Sequence, residues 1–141
     1  MKGRLSEESV AVALSSIDAY NPGDLDAQMA TYLPTAVAIT HINAETRLPD
    51  VDNRLEGRAA IRRWVSEGQE FWRARYEPSE LQVLGDGAVL CRGRWGGVRV
   101  ATCIELYTDT TVLFRIRDGL IERVEFFDDY DHALKALGLA E

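Results

Sequence analysis

Residues 111–139, TVLFRIRDGLIERVEFFDDYDHALKALGL, combine a β-hairpin signal with a helix signal. Asp118-Gly119 lies between two apolar-rich runs, and an Asp-Gly pair in that setting is typical of a two-residue hairpin turn. After the second run, apolar residues recur at helical spacing, and Gly138 follows where a C-terminal cap is expected. The stretch therefore predicts a strand, a tight turn, a second strand and a short closing helix.

Upstream of this stretch, the apolar periodicity predicts three helices. Ser6 can cap the first, whose apolar positions follow the 3.6-residue period. Asp24 can cap the second, which the apolar pattern extends as far as Pro34. The third follows Gly57, and its apolar stripe comprises Ile61, Trp64, Val65, Gly68 and Trp72.

The remaining residues predict strands and loops. Residues 36–42, AVAITHI, are β-branched and apolar, which indicates a strand. Residues 43–56 are polar and contain a proline, so we expect a loop long enough to act as a lid or binding element. Three further strands are expected at 79–84, 88–95 and 98–107, separated by turns at 85–87 and 96–97.

Helices followed by a meandering antiparallel sheet imply an α+β fold. We expect residues 1–141 to form a single domain, because no repeat, low-complexity segment or interdomain linker is evident. A sheet with so much apolar surface is expected to curl around the helices. The resulting concave interior is the usual location of a small-molecule site.

Composition and charge restrict the function classes. The 141 residues carry a net charge of −7, which argues against nucleic acid or an anionic membrane as a partner. No apolar run is long enough to span a bilayer, and the first residues lack the apolar core of a signal peptide, so we expect a cytoplasmic protein. Two separate cysteines and two distant histidines predict neither a disulfide nor a metal centre, and no cofactor motif is present.

Four segments resemble the SnoaL-like branch of the nuclear transport factor 2-like superfamily: DLDAQMATYL, EGRAAIRRWV, LGDGAVLCRGRW and FRIRDGLIERVEFFDDYDHALKALGL. Together they cover nearly the whole chain, and the last is the most specific. The resemblance implies a cone of helices and a strongly bent sheet around a deep pocket, together with a homodimer formed through the outer face of the sheet. The superfamily includes isomerases, epoxide hydrolases, polyketide cyclases, dehydratases and non-catalytic binding modules, so the fold alone does not define the function.

Glu125 is the first candidate for a catalytic residue. The segment VEFFD resembles the one that supplies a catalytic acid in limonene-type epoxide hydrolases, and Glu125 falls on that position. Among apolar neighbours such as Phe127, a carboxylate could act as a general acid or base. The alternative is a structural ion pair with Arg123 or with an arginine on a neighbouring strand. The second acid of the hydrolase pattern has no counterpart, because the corresponding strand reads CRGRWGG.

His41 is the second candidate, since histidine is a common general acid or base. In the ketosteroid isomerase pattern the base is an aspartate near the end of the first strand, where this chain has Thr40 followed by His41. The tyrosine of that pattern has no match, although Tyr20 lies on the first helix near the corresponding place. His41 could pair with Glu125, or it could be a hydrogen-bonded residue at the rim, as strand parity favours.

Two functions are therefore predicted, and for catalysis or ligand binding we expect a small, largely apolar molecule. The first is cofactor-free acid–base catalysis of the isomerase, cyclase, dehydratase or epoxide hydrolase type, with Glu125 transferring the proton, His41 or Tyr20 polarising the substrate and Thr40 orienting it. The second is non-catalytic ligand binding or dimerisation. The aromatic residues are expected to form the core and in part to line the pocket: Trp64, Trp95, Phe114 and Phe127.

Overall fold

The computed structural model describes residues 2–41, 54–85 and 87–138. Its helices are α1 (Lys2–Tyr20), α2 (Leu25–Met29), α3 (Arg58–Phe71) and α4 (Tyr130–Ala136). Its strands are β1 (Tyr32–Thr40), β2 (Arg54–Glu56), β3 (Trp72–Gly85), β4 (Ala88–Arg99), β5 (Glu105–Arg117) and β6 (Leu120–Phe127). No described helix is both long and apolar enough to span a bilayer.

The six strands form one curved sheet in the order β2-β1-β6-β5-β4-β3. All neighbouring strands are antiparallel except β1 and β6, which run parallel. This arrangement confirms the predicted α+β fold. The parallel pair brings the first strand of the chain next to the last, and so places the residues around 40 beside those around 125.

Apolar clusters lie on both faces of the sheet. On the inner face, residues of alternating strand positions pack with α1, α2 and α3, and they include Val89, Val112, Phe114 and Val124. On the outer face, a smaller cluster packs with α4, and it includes Leu90, Leu113, Phe127 and Ala133. The sheet is therefore the middle layer of the fold, and neighbouring residues of one strand face different surroundings.

The closing hairpin and helix are confirmed. Asp118 and Gly119 have φ angles of 55° and 79°, the left-handed values that a type I′ turn requires. The side chain of Asp129 accepts a hydrogen bond of 2.8 Å from the backbone N–H of His132 and so caps α4. Gly138 follows the helix at a φ of 72°, as expected for a C-terminal cap.

The predicted boundaries of the first two helices were wrong. α1 begins at Lys2, so Ser6 lies inside the helix rather than at its cap. Asp24 does cap α2 and accepts a hydrogen bond of 3.1 Å from Ala27 N, but that helix ends at Met29 instead of near Pro34. The residues after it belong to β1, because pairing with β6 overrides the helical periodicity.

The predicted loop over 43–56 was wrong at its end, since 54–56 form β2 and pair with β1. The loop residues 43–53 lie outside the described residues. Trp72 likewise belongs to β3 and not to the third helix. Both errors concern a short strand or the end of an element. Pairing with a neighbouring strand decides the conformation there, and the local sequence does not reveal that pairing.

Gly96 and Gly97 do not form the predicted turn, because β4 runs through them to Arg99 and the connection to β5 lies at 100–104. A Cβ atom on Gly96 would lie 2.3 Å from the carbonyl oxygen of Leu106 on β5, and one on Gly97 would lie 2.0 Å from that of Arg73 on β3. The two glycines therefore permit close approach of the neighbouring strands, which is the other common role of glycine in a sheet.

Candidate functional sites on the two faces of the sheet

The predicted site residues are divided between the two faces of the sheet. Thr40 is in register with Phe126, which packs on the inner cluster, whereas Ile39 is in register with Glu125 on the outer face. The alternation of side chains along β1 and β6 causes this division. Tyr20, Thr40, Trp64, Trp95 and Phe114 belong to the inner side, and His41, Glu125 and Phe127 belong to the outer side.

On the inner side, Thr40 carries a hydroxyl group that is buried without a hydrogen-bond partner in the structure as described. The residue is 6% exposed, and its register neighbour Phe126 contacts the ring of Trp64 edge-on at a centroid distance of 5.3 Å. An unsatisfied buried polar group costs about 1–3 kcal/mol. Such groups are rare in folded proteins, and each requires an explanation.

Tyr20 and Trp95 form a second polar contact on the inner side. Trp95 Nε1 donates a hydrogen bond of 2.8 Å to the Tyr20 hydroxyl oxygen, and the Trp72 ring lies 5.8 Å from that of Trp95. Burial raises the pKa of Tyr20, and the hydrogen bond from Trp95 opposes that effect. Because the phenol accepts from Trp95 and stays protonated, its own proton remains available for a further acceptor.

Tyr32 is an inner polar residue that sequence reasoning missed. It is 3% exposed, and burial raises its pKa to about 12, although hydrogen bonds with Ser16 and Gln28 act in the opposite direction. Gln28 Oε1 is buried without a partner among the described residues. The second helix predicted from the sequence extends as far as Pro34 and so includes Tyr32. The available signal against a helix was Pro34 itself, because the residue before a proline, here Leu33, favours extended backbone.

On the outer side, Glu125 forms the centre of a charged cluster. Its Oε1 lies 2.9 Å from His41 Nε2, and its Oε2 lies 3.3 Å from Arg123 Nε and 4.0 Å from Arg115 Nε. The Glu125 side chain is only 10% exposed, whereas its partners are a third or more exposed. Glu125 therefore pairs with Arg123 and with Arg115 of the neighbouring strand, which is the structural alternative considered above. The contact with His41 is present as well.

Aromatic contacts hold the His41 ring in place. It stacks on the ring of Phe127 at 4.5 Å with an interplanar angle of 5°. His132 of α4 contacts both rings edge-on, at 5.5 Å from Phe127 and 6.3 Å from His41. A ring fixed in this way loses little entropy when its nitrogen takes part in a reaction.

The chemistry of the outer cluster follows from the tautomer that Glu125 selects. A carboxylate beside Nε2 favours the proton on that nitrogen, so the neutral His41 ring keeps its lone pair on Nδ1. A base oriented by a carboxylate is a common arrangement for proton transfer. The catalytic roles of Glu125 and His41 stay predictions. Within the described parts of the chain, no group of three or more His, Cys, Asp or Glu residues could hold a metal ion.

Helices packed on a curved, mainly antiparallel sheet define the nuclear transport factor 2-like class of fold. The chain belongs to the SnoaL-like domain family, whose model matches residues 13–124. No curated protein sequence matches the chain.

Solved structures agree with this class of fold. A candidate polyketide cyclase from Xanthomonas campestris pv. campestris has a TM-score of 0.75 at 19% identity, covering 96% of this chain and 98% of its own. A candidate polyketide cyclase from Sinorhizobium meliloti is 27% identical, with a TM-score of 0.66, and covers 83% of this chain and 94% of its own. TerC, crystallised with polyporic acid, is 16% identical, with a TM-score of 0.74, and covers 94% of this chain and 97% of its own.

Proposed function

We propose that the protein binds a small, largely apolar molecule between α1, α3 and the inner face of the sheet. The observation that carries this proposal is the Thr40 hydroxyl, which is buried without a described partner beside Phe126. A carbonyl or hydroxyl group of a ligand at this position would complete its hydrogen bonding. Small-molecule sites commonly combine an apolar lining with a few polar groups of this kind.

The chemistry of the lining favours a ligand with a flat, apolar body. Phe126 lies beside Thr40 and contacts the ring of Trp64, while Tyr20 and Trp95 supply a second aromatic group with a phenol proton to donate. Aromatic side chains contribute large contact areas and stack on planar ligands. The resemblance to candidate polyketide cyclases and to TerC, which was crystallised with polyporic acid, is consistent with such a ligand.

The proposal is tested by the quenching of tryptophan fluorescence with polyporic acid as the probe. We expect saturable quenching by the wild-type protein and an affinity roughly fivefold to tenfold weaker for Thr40→Val, which removes the hydroxyl but keeps the volume. Thr35→Val is the matched control, because Thr35 is exposed on the same strand. Equal affinities of the two variants would contradict the role of Thr40, and linear, unsaturable quenching of the wild type would contradict binding.

Acid–base catalysis is the second candidate function, and the contact of 2.9 Å between His41 Nε2 and Glu125 Oε1 favours it. Because this pair lies on the outer face, its substrate would bind outside the inner site. We expect the wild type to speed the exchange of α-protons of acetophenone into deuterium oxide, as measured by proton NMR, and His41→Gln and Glu125→Gln to remove the effect. Arg117→Gln is the control, and exchange at the same rate in every variant would reject this function.

A further inference from the structure

Arg115 and Arg123 lie directly opposite each other on the outer face, in the antiparallel register of β5 and β6. Like charges at such positions repel and destabilise the sheet. The Glu125 carboxylate lies within 4.0 Å of both guanidinium groups, and it contacts both through the same oxygen, Oε2. Its other oxygen is engaged by His41. One negative charge is therefore shared among two permanent cations and a histidine.

The arginines are not saturated by this carboxylate. Arg123 Nε lies 3.3 Å from Glu125 Oε2, yet the nitrogen is buried and has no partner that meets hydrogen-bond geometry. The side chains of Arg115 and Arg123 are 43% and 41% exposed, so each arginine is in part accessible to a solute. No other carboxylate in the described part of the chain lies within 4.0 Å of either group.

We propose that Arg115 and Arg123 form an oxyanion site on the outer face, which takes the carboxylate or phosphate group of a small molecule. Guanidinium groups bind both anions with paired, charge-assisted hydrogen bonds. A bound anion would supply the negative charge that Glu125 alone does not, and the His41 ring, which is one-third exposed, contacts the same carboxylate. This site is separate from the inner one, so the failure of either proposal leaves the other intact.

Glu125 acts in this site as an internal competitor for the arginines. Replacing it by glutamine removes the competing charge while preserving the size of the side chain. We therefore expect Glu125→Gln to bind anions more tightly than the wild type. If the arginines only form a structural ion pair with Glu125, the variant should show no gain in affinity. The direction of this change separates an anion site from a simple ion pair.

The test uses the full chain and two probes, benzoate and phenyl phosphate, titrated at constant ionic strength with sodium chloride. We expect saturable shifts of the Arg115 and Arg123 Nε–H resonances in two-dimensional NMR. The probe with the higher affinity shows whether the site takes a carboxylate or a phosphate group. Arg123→Gln should weaken binding roughly tenfold. If Arg123→Gln does not fold, Arg115→Gln takes its place in the test, with the same expected loss. Arg117→Gln, at an exposed arginine paired with Glu122, should bind as the wild type does. Unsaturable shifts, or equal losses in Arg117→Gln and Arg123→Gln, would overturn the proposal.

Discussion

His41 and Glu125 contact each other at 2.9 Å on the outer face, although the residues next to them in the chain, Thr40 and Phe126, face the inner side. The parallel pairing of β1 with β6 aligns the two strands, and the alternation of side chains then places one pair on each face. The same two strand segments thus contribute to both candidate sites. Substitutions at these four positions can therefore test each face separately.

Replacing Glu125 by glutamine is expected to destabilise the fold. The change leaves Arg123 and His41 without their charged partner at a position where Glu125 is only 10% exposed. We expect the free energy of unfolding, measured by urea denaturation, to fall by about 1–3 kcal/mol. Glu122→Gln is the control, since its more exposed pair with Arg117 should contribute less than about 1 kcal/mol. Equal losses in the two variants would mean that burial of Glu125 does not matter.

Replacing Thr40 by valine is expected to leave stability unchanged or to raise it by up to about 1 kcal/mol, because the buried hydroxyl has no described partner to lose. Tyr76→Phe provides the contrast. The Tyr76 hydroxyl is buried and donates a hydrogen bond of 2.8 Å to the Thr110 carbonyl oxygen. Its removal should cost about 1–2 kcal/mol in thermal or urea unfolding. A loss for Thr40→Val as large as that for Tyr76→Phe would show that the hydroxyl is satisfied.

The protein should lose stability at high pH through Tyr32. Burial raises the pKa of Tyr32 to about 12 in the folded state, from 10.0. The folded state then holds the proton more tightly, so this stabilisation is fully present below about pH 10 and is lost as pH rises toward about 12, by roughly 2–3 kcal/mol. Urea unfolding between pH 9 and 12 measures it, and Tyr32→Phe should flatten the slope. An unchanged slope in the variant would assign the effect to other groups.

Replacing Gly93 by alanine should destabilise the inner face. A Cβ atom there would lie 2.5 Å from the Glu77 carbonyl oxygen and 2.7 Å from the ring of Tyr76, so the ring would have to move. We expect a loss of about 1–3 kcal/mol by thermal unfolding. Gly68→Ala is the matched control in α3, where nothing lies within 4 Å, and it should stabilise the helix by up to about 1 kcal/mol. Similar effects of the two substitutions would contradict the packing argument.

We expect a homodimer that uses the outer face near the turn between β4 and β5. Two large apolar residues lie there: Ile104, which precedes β5, and Tyr107, which contacts Arg94 of β4, and they are 62% and 48% exposed. Exposed apolar patches are typical of association surfaces. Tyr107→Glu should shift the protein toward the monomer in sedimentation velocity, whereas Val83→Glu, at an exposed apolar residue of β3, should not. A wild-type protein that is monomeric at all concentrations would refute the expectation.

The closing hairpin was predictable because its signals are local. Asp118-Gly119 satisfies the turn geometry by itself, and Asp129 and Gly138 cap α4 within a few residues. The turn predicted at Gly96 was wrong, because the role of this glycine depends on a neighbouring strand. A glycine that turns the chain and a glycine that admits a neighbouring strand look the same in the sequence, and only the partner at 2.3 Å distinguishes them.

The class of fold, the closing hairpin and the identity of the reactive groups could be predicted from the sequence, because these depend on local periodicity, turn chemistry and residue type. Which of the reactive groups contact one another depends on the tertiary structure. Strand alternation separates Thr40 from His41, but the parallel pairing of β1 with β6 across more than 80 residues decides that His41 meets Glu125. Such pairing results from the packing of the whole sheet, and no local pattern encodes it.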